Sequence, residues 1–150
     1  MTIARVGGRV FMVDASDRVL LIHETLEHGG THWLTPGGGL EDGEQPREAA
    51  AREAFEETGI EVTIPADAEP VLTTRRDWSW HGVEYDQIDH FYLVRVPDGL
   101  PVQPRALTEI ERETLLGSRW WTIAELTATQ EILLPPDLGA VLGRLLAGGR

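Results

Sequence analysis

Residues 38–60 read GGLEDGEQPREAAAREAFEETGI, and the reading of this stretch decides the fold. Pro46 stands where the first turn of a helix accepts proline, and Gly59 stands where a helix ends. A helix turns by about 100° per residue, so Glu53, Glu56 and Glu57 fall at i, i+3 and i+4 and share one face. Like charges at that spacing repel and weaken an isolated helix. Three carboxylates gathered there point to a cation. Hard divalent ions such as Mg²⁺ or Mn²⁺ take oxygen ligands and bring phosphate groups with them. The competing reading is a solvated acidic face, because glutamate forms helices well and Arg52 can pair with Glu48 and Glu56 at i,i+4. Opposite the carboxylates, Ala51, Ala54, Phe55 and Thr58 make the less polar face, which is expected to pack on a sheet while the glutamates look into a cleft.

Gly38, five residues, Glu44, seven residues, then Arg52-Glu53-Ala54-Phe55-Glu56-Glu57-Thr58-Gly59-Ile60 resembles the Nudix box in every fixed position. Ala54 is a small but compatible choice where the family usually carries an aliphatic residue. The box covers 23 of 150 residues, yet so many polar and glycine identities at set spacings seldom coincide by chance. Trp33-Leu34-Thr35-Pro36-Gly37-Gly38 resembles the usual entry to the box, and Arg119-Trp120-Trp121 with Glu125-Leu126 resembles the strand and short helix near the end of such domains. The resemblance implies an α+β fold, the Nudix α/β/α sandwich with a mixed β-sheet between helices. It implies a metal-dependent hydrolase that cleaves the pyrophosphate linkage of a nucleoside diphosphate linked to another moiety, by water attack at phosphorus. Mg²⁺ or Mn²⁺ is the implied cofactor.

The resemblance also suggests roles. Glu56 and Glu57 match the usual metal ligands, and Glu53 matches a ligand or the general base. A backbone carbonyl often ligates metal in the family, and Gly37 matches that position. Arg52 is expected to orient a glutamate through a charge-assisted hydrogen bond. Glu44 anchors the glycine loop or serves as an outer ligand, or else simply favours the helix dipole. Many members add an acidic residue from a later loop; Glu111 is the first choice and Glu113 the second, within Thr108–Glu113, whose alternating charge also reads as a solvated helix. The physical need is plain, since phosphate oxygens repel a nucleophile until a divalent ion neutralises them and lowers the pKa of bound water, and a carboxylate can then take the proton. Crowding among the carboxylates should raise at least one of their pKa values when no metal is bound.

At 150 residues the chain suits one domain, residues 1–150, with a sizeable core. A net charge of −12 argues against a broad nucleic-acid-binding surface, but not against a small anionic substrate held through metal. The absence of cysteine removes disulfide and thiolate chemistry and fits a cytoplasmic enzyme. No apolar run approaches the ~20 residues of a membrane span, and no signal peptide is apparent. A homodimer, the commonest soluble oligomer, is left open.

Elsewhere, Val6–Asp14 and Val19–His23 read as a hairpin about Ala15–Arg18. Ile60–Ile64, Val71–Arg76 and Val83–Val96 read as further strands, Thr122–Glu125 as a capping box, and 137–147 as a last helix. Arg75, Arg76, Trp78, Trp80 and His81 form the main cationic and aromatic cluster outside the box. Arg75, Arg76 and Trp78 are the candidate substrate-binding residues, because arginine suits phosphate and indoles stack on bases; strand-edge packing is the alternative. The family's markers for ADP-ribose, dinucleoside polyphosphates and NADH are missing past the box. A nucleoside triphosphate, as for MutT-type members, is therefore the leading small-molecule substrate. The rivals are a non-catalytic nucleotide or ADP-ribose sensor, disfavoured by the intact glutamates, and an isoprenyl-diphosphate isomerase, disfavoured by the lack of cysteine.

Overall fold

The computed structural model describes residues 1–148. Twelve elements follow in chain order: β1 (Thr2–Val13), β2 (Val19–Thr25), β3 (Thr31–Leu34), β4 (Gly37–Gly39), α1 (Pro46–Thr58), β5 (Leu72–Trp80), β6 (Val83–Arg95), α2 (Glu109–Thr114), β7 (Leu115–Trp121), α3 (Ile123–Ala128), β8 (Ile132–Leu134) and α4 (Leu138–Gly148). The strands join in one mixed sheet with the order β5-β6-β1-β2-β3-β8, in which β4 also pairs with β1 and β7 with β2. This is the α+β sandwich expected, with helices on both faces.

Strand β1 organises it. Its side chains alternate between faces, so Phe11 and Val13 join one apolar cluster with Phe91, Trp121 and the α3 and α4 leucines. Val10 and Met12 join the other, with Leu20 and Ala54 of α1. A strand buried on both faces reads as a continuous apolar run, which is what Val10–Val13 is.

Strand β1 lies parallel to β6 along its whole length, from Thr2↔Glu84 to Val13↔Arg95. Its other edge is shared, with β4 beside Gly7–Arg9 and β2 meeting it only at Val13↔Val19. The hairpin expected there is thus a turn with almost no ladder. The glycines of β4 occupy the edge that a full hairpin would have used.

Two other expectations are corrected. Residues 61–64 form no strand; Ile60 and Val62 still pack into the core, which accounts for their alternation. The buried face of α1 is Ala49, Ala50, Glu53, Ala54, Glu57 and Thr58, whereas Ala51 is only half-buried and Phe55 is exposed. Two glutamates therefore lie inside, and the helix is rolled relative to the hydrophobic reading. The cause is its seat. A β-carbon at Gly8 would stand 1.9 Å from the Pro46 carbonyl oxygen and 2.9 Å from the Ala50 nitrogen, so α1 rests on the bare backbone of β1.

Candidate active site

Helix α1 is fixed at both ends before any side chain reaches the site. Glu48 Oε1 accepts the Gln45 N–H at 3.0 Å, and Gly59, at φ 75°, closes the last turn by donating to the Phe55 carbonyl. A left-handed residue at that position suits glycine. Two more of the last carbonyls are met by an incoming segment: Gln103 donates to the Thr58 oxygen, and Arg105 and Ala106 to the Glu56 oxygen. That segment leads directly to Thr108 and α2, which carries Glu111.

The result is a group of three carboxylates, Glu53, Glu57 and Glu111, with one oxygen from each lying within 4.8 Å of the others. Glu53 and Glu57 are 7% and 6% exposed. Gly37 N–H donates to Glu57 Oε1 at 3.1 Å. Glu53 presses on Gly38 so closely that a β-carbon there would stand 2.7 Å from its carboxyl carbon. Burial, then the charges of Glu111 and Glu53, pushes Glu57 well above the usual carboxylate range; burial and then Glu111 raise Glu53. Three carboxylate oxygens at this spacing, two of them from buried side chains, fit a hard divalent cation.

Arg52 is the hub beside them. It grips Glu44 in a bidentate pair at 2.8 and 2.9 Å, reaches Glu53 at 3.0 Å and Glu56 at 3.1 Å, and donates to the Gly39 carbonyl at 3.1 Å. Its hydrogen bond to Glu44 raises the guanidinium pKa, and the same bond lowers Glu44. Glu44 also accepts the Glu41 N–H at 2.9 Å, so it ties the turn after β4 to the helix. Glu56 is held by Arg52 with its side chain 29% exposed, and it lies outside the group of three.

These residues border a cleft of about 380 Å³ that is also lined by Arg5, Arg9 and Arg76, and by Glu24, Glu27 and Asp77. Arg76 and Trp78 line it. Arg75 does not; it lies on the other face of β5 and pairs with Asp86 at 2.8 Å. Trp78 stacks on Tyr85 with centroids 4.3 Å apart and lies 5.7 Å from both Arg5 and Arg76. Glu113, the second choice for the acid outside the box, is not in the carboxylate group.

Sequence reasoning missed Arg9, Gln87 and Asp89. Arg9 is buried, donating from Nε to Asp89 at 3.1 Å and from Nη1 to the Thr35 carbonyl at 2.8 Å. A signal existed: Gln87 and Asp89 alternate at period two with the apolar Tyr85 and Phe91 on the same face of β6, and Arg9 opens the apolar run of β1.

Sheet, helix and the fixed residues around the carboxylate group place the chain in a class of hydrolases. The chain belongs to the Nudix family, whose NUDIX domain profile matches residues 4–143. It is 29% identical over 126 residues to Nudix hydrolase 25 of Arabidopsis thaliana, covering 78% of this chain and 71% of that protein. It is 46% identical over 54 residues to an RNA pyrophosphohydrolase of Cereibacter sphaeroides, a match spanning 36% of this chain and only 28% of that protein. Among solved structures, a C. elegans Ap4A hydrolase complex superposes with a TM-score of 0.65 at 19% identity, covering 96% of this chain and 98% of the other. A NUDIX-family hydrolase from Clostridium perfringens gives 0.65 at 24%, covering 95% and 98%. The chain is accordingly an enzyme of the Nudix pyrophosphohydrolase class.

Proposed function

We propose that this enzyme hydrolyses the pyrophosphate linkage of a small nucleotide, a nucleoside triphosphate first among them, by water attack at phosphorus. The single observation that carries the reading is one cleft lined by Glu53, Glu57 and Glu111 together with Arg5, Arg9 and Arg76. Such a cleft suits a cation held by carboxylates and a polyanion held by arginines.

Glu53, Glu57 and the Gly37 carbonyl would hold Mg²⁺ or Mn²⁺, with Glu56 as an outer ligand steered by Arg52. An ion held there would supply charge neutralisation at phosphate oxygen and a lowered pKa for water. Glu111 would accept a proton from the attacking water: one of its oxygens is engaged by the Thr108 N–H at 2.8 Å, which leaves the other for the transfer. Arg52 keeps Glu53 turned toward the cleft. Arg76 and Trp78 contact the substrate, whereas Arg75, paired with Asp86 outside the cleft, does not.

The net charge of −12 favours a free nucleotide over a nucleic acid. Among the described residues no helix is long and apolar enough to cross a membrane. The cytoplasmic location and the single-domain organisation of residues 1–150 belong to this proposal.

The test is phosphate and pyrophosphate release, with Mg²⁺ and then Mn²⁺, across canonical and oxidised nucleoside triphosphates, ADP-ribose, nucleotide sugars, dinucleoside polyphosphates and NADH. Metal-dependent turnover of nucleoside triphosphates is the expected result. Turnover of another class moves the leaving group, and silence from the folded protein favours a sensor.

A further inference from the structure

Two guanidinium groups in the cleft share one carboxylate oxygen. Arg9 Nε lies 3.1 Å from Asp89 Oδ2, and Arg76 Nε lies 3.6 Å from the same atom. Asp89 is 1% exposed, and room is kept for it by Gly7, where a β-carbon would stand 2.4 Å from Asp89 Oδ1. Its other oxygen accepts from Gln87 Nε2 at 2.8 Å, and Gln87 Oε1 accepts from Trp78 Nε1 at 2.7 Å. With Arg9 also donating to the Thr35 carbonyl, every partner of the two arginines is itself held.

Asp89 is the carboxylate that both cations touch, in a largely buried place. Burial and then repulsion from Arg9 pull Arg76 down to about 10. Two further carboxylates act on the pair from farther away. Glu24 acts on both arginines while hydrogen-bonded to His32 at 3.0 Å, and Glu57 acts on Arg9, accepts the Gly37 N–H and belongs to the carboxylate group. Buried charge is stable only when compensated, and a fork-shaped guanidinium is compensated best by a phosphate.

We propose that Arg9 and Arg76, mounted on Asp89, form a metal-independent anion subsite for a phosphate group of the ligand other than the one attacked. Arg76 meets the ligand, because its side chain is 25% exposed and that of Arg9 only 8%. Arg9, Asp89 and Gln87 are positioning residues that hold it. The identity of the ligand as a nucleotide rests on the hydrolase reading above; the binding of a phosphate group does not.

The test is calorimetric titration of the full chain with inorganic pyrophosphate in EDTA. The wild type should bind, and binding should weaken with added salt. Arg76→Gln should weaken it by about ten-fold or more, Arg76→Lys should fall between the two, and Glu57→Gln should not weaken it. A folded wild type that does not bind pyrophosphate in EDTA overturns the subsite, as does equal binding by Arg76→Gln. If Arg76→Gln does not fold, binding by Arg76→Lys equal to wild type overturns it instead. Nucleotide turnover with Mg²⁺ but no metal-free binding removes the subsite alone. Arg76-dependent binding without turnover of any nucleotide upholds the subsite and removes the hydrolase reading.

Discussion

Thr108 and Glu111 hold each other at the start of α2: Thr108 N–H donates to Glu111 Oε1 at 2.8 Å, and Glu111 N–H donates to Thr108 Oγ1 at 3.2 Å. The pair is a capping box, but its glutamate is also the third carboxylate of the active-site group. A helix cap therefore aims a candidate catalytic residue.

Thr108→Val should loosen that aim. Loss of a cap costs about 1 kcal/mol, equivalent to about a five-fold effect, and it should appear in kcat while the KM for nucleotide stays nearly unchanged. Thr108→Ser should restore wild-type kcat. Steady-state kinetics of the two variants, with melting curves to register helix stability separately, check this.

Glu57→Gln should remove turnover, a loss of at least about 10²-fold, while leaving the fold intact. The substitution keeps the side-chain shape and deletes a charge that burial opposes. Near-wild-type activity with unchanged Mg²⁺ dependence would sink the ligand role.

The same residue gives a pH signature. The folded pKa of Glu57 lies well above its model-peptide value of 4.5, so the fold retains a proton that the unfolded chain releases. Its stabilising contribution is full below pH 4.5 and is lost as pH rises through the folded value. Asp89, lowered from 3.8 by Arg9 against the opposing effect of its burial, runs the other way and loses its contribution only as pH falls below that value. Melting curves in EDTA should thus show a Tm that declines from pH 5 upward, with the decline shallower in Glu57→Gln and shallower again with saturating Mg²⁺.

Arg52→Lys should behave as a severe change despite keeping the charge. An ammonium cannot reproduce the bidentate grip on Glu44 together with the bonds to Glu53 and the Gly39 carbonyl. The expected outcome is weaker Mg²⁺ affinity and a lower kcat. Mg²⁺ titrations of kcat and of Tm measure both.

Gly8→Ala should unseat α1, because its β-carbon would collide with the Pro46 carbonyl. Overpacking costs about 1–3 kcal/mol, more where backbone is the obstacle. Denaturant melts should show the loss, and Mg²⁺ affinity should fall with it.

The box helix was legible in the sequence because its signals are local: a proline at one end, a glycine at the other, carboxylates at helical spacing between. Its orientation was not. Glutamate ranks among the residues rarely buried, so polarity alone puts Ala51 and Phe55 on the inner face with Ala54 and Thr58, whereas contact with bare backbone at Gly8 turns Glu53 and Glu57 inward. Residues 61–64 alternate like a strand, but β1 has no free edge to offer them, with β6 on one side and β4 and β2 on the other. Glu111 could be picked out by its nearness to Arg119-Trp120-Trp121. The Arg9–Asp89 pair could not, since its partners stand 80 positions apart and meet only once β1 and β6 have aligned in parallel.

The main-chain bonds from residues 103–106 to the end of α1 also work as a ruler. Glu111 follows that segment in the chain, so its distance from Glu53 and Glu57 is set through backbone amides anchored on the same helix that carries the two glutamates. Side-chain substitutions in residues 103–106 leave those amides in place, whereas proline at 103, 105 or 106 would remove one of them and let the third carboxylate drift from the other two.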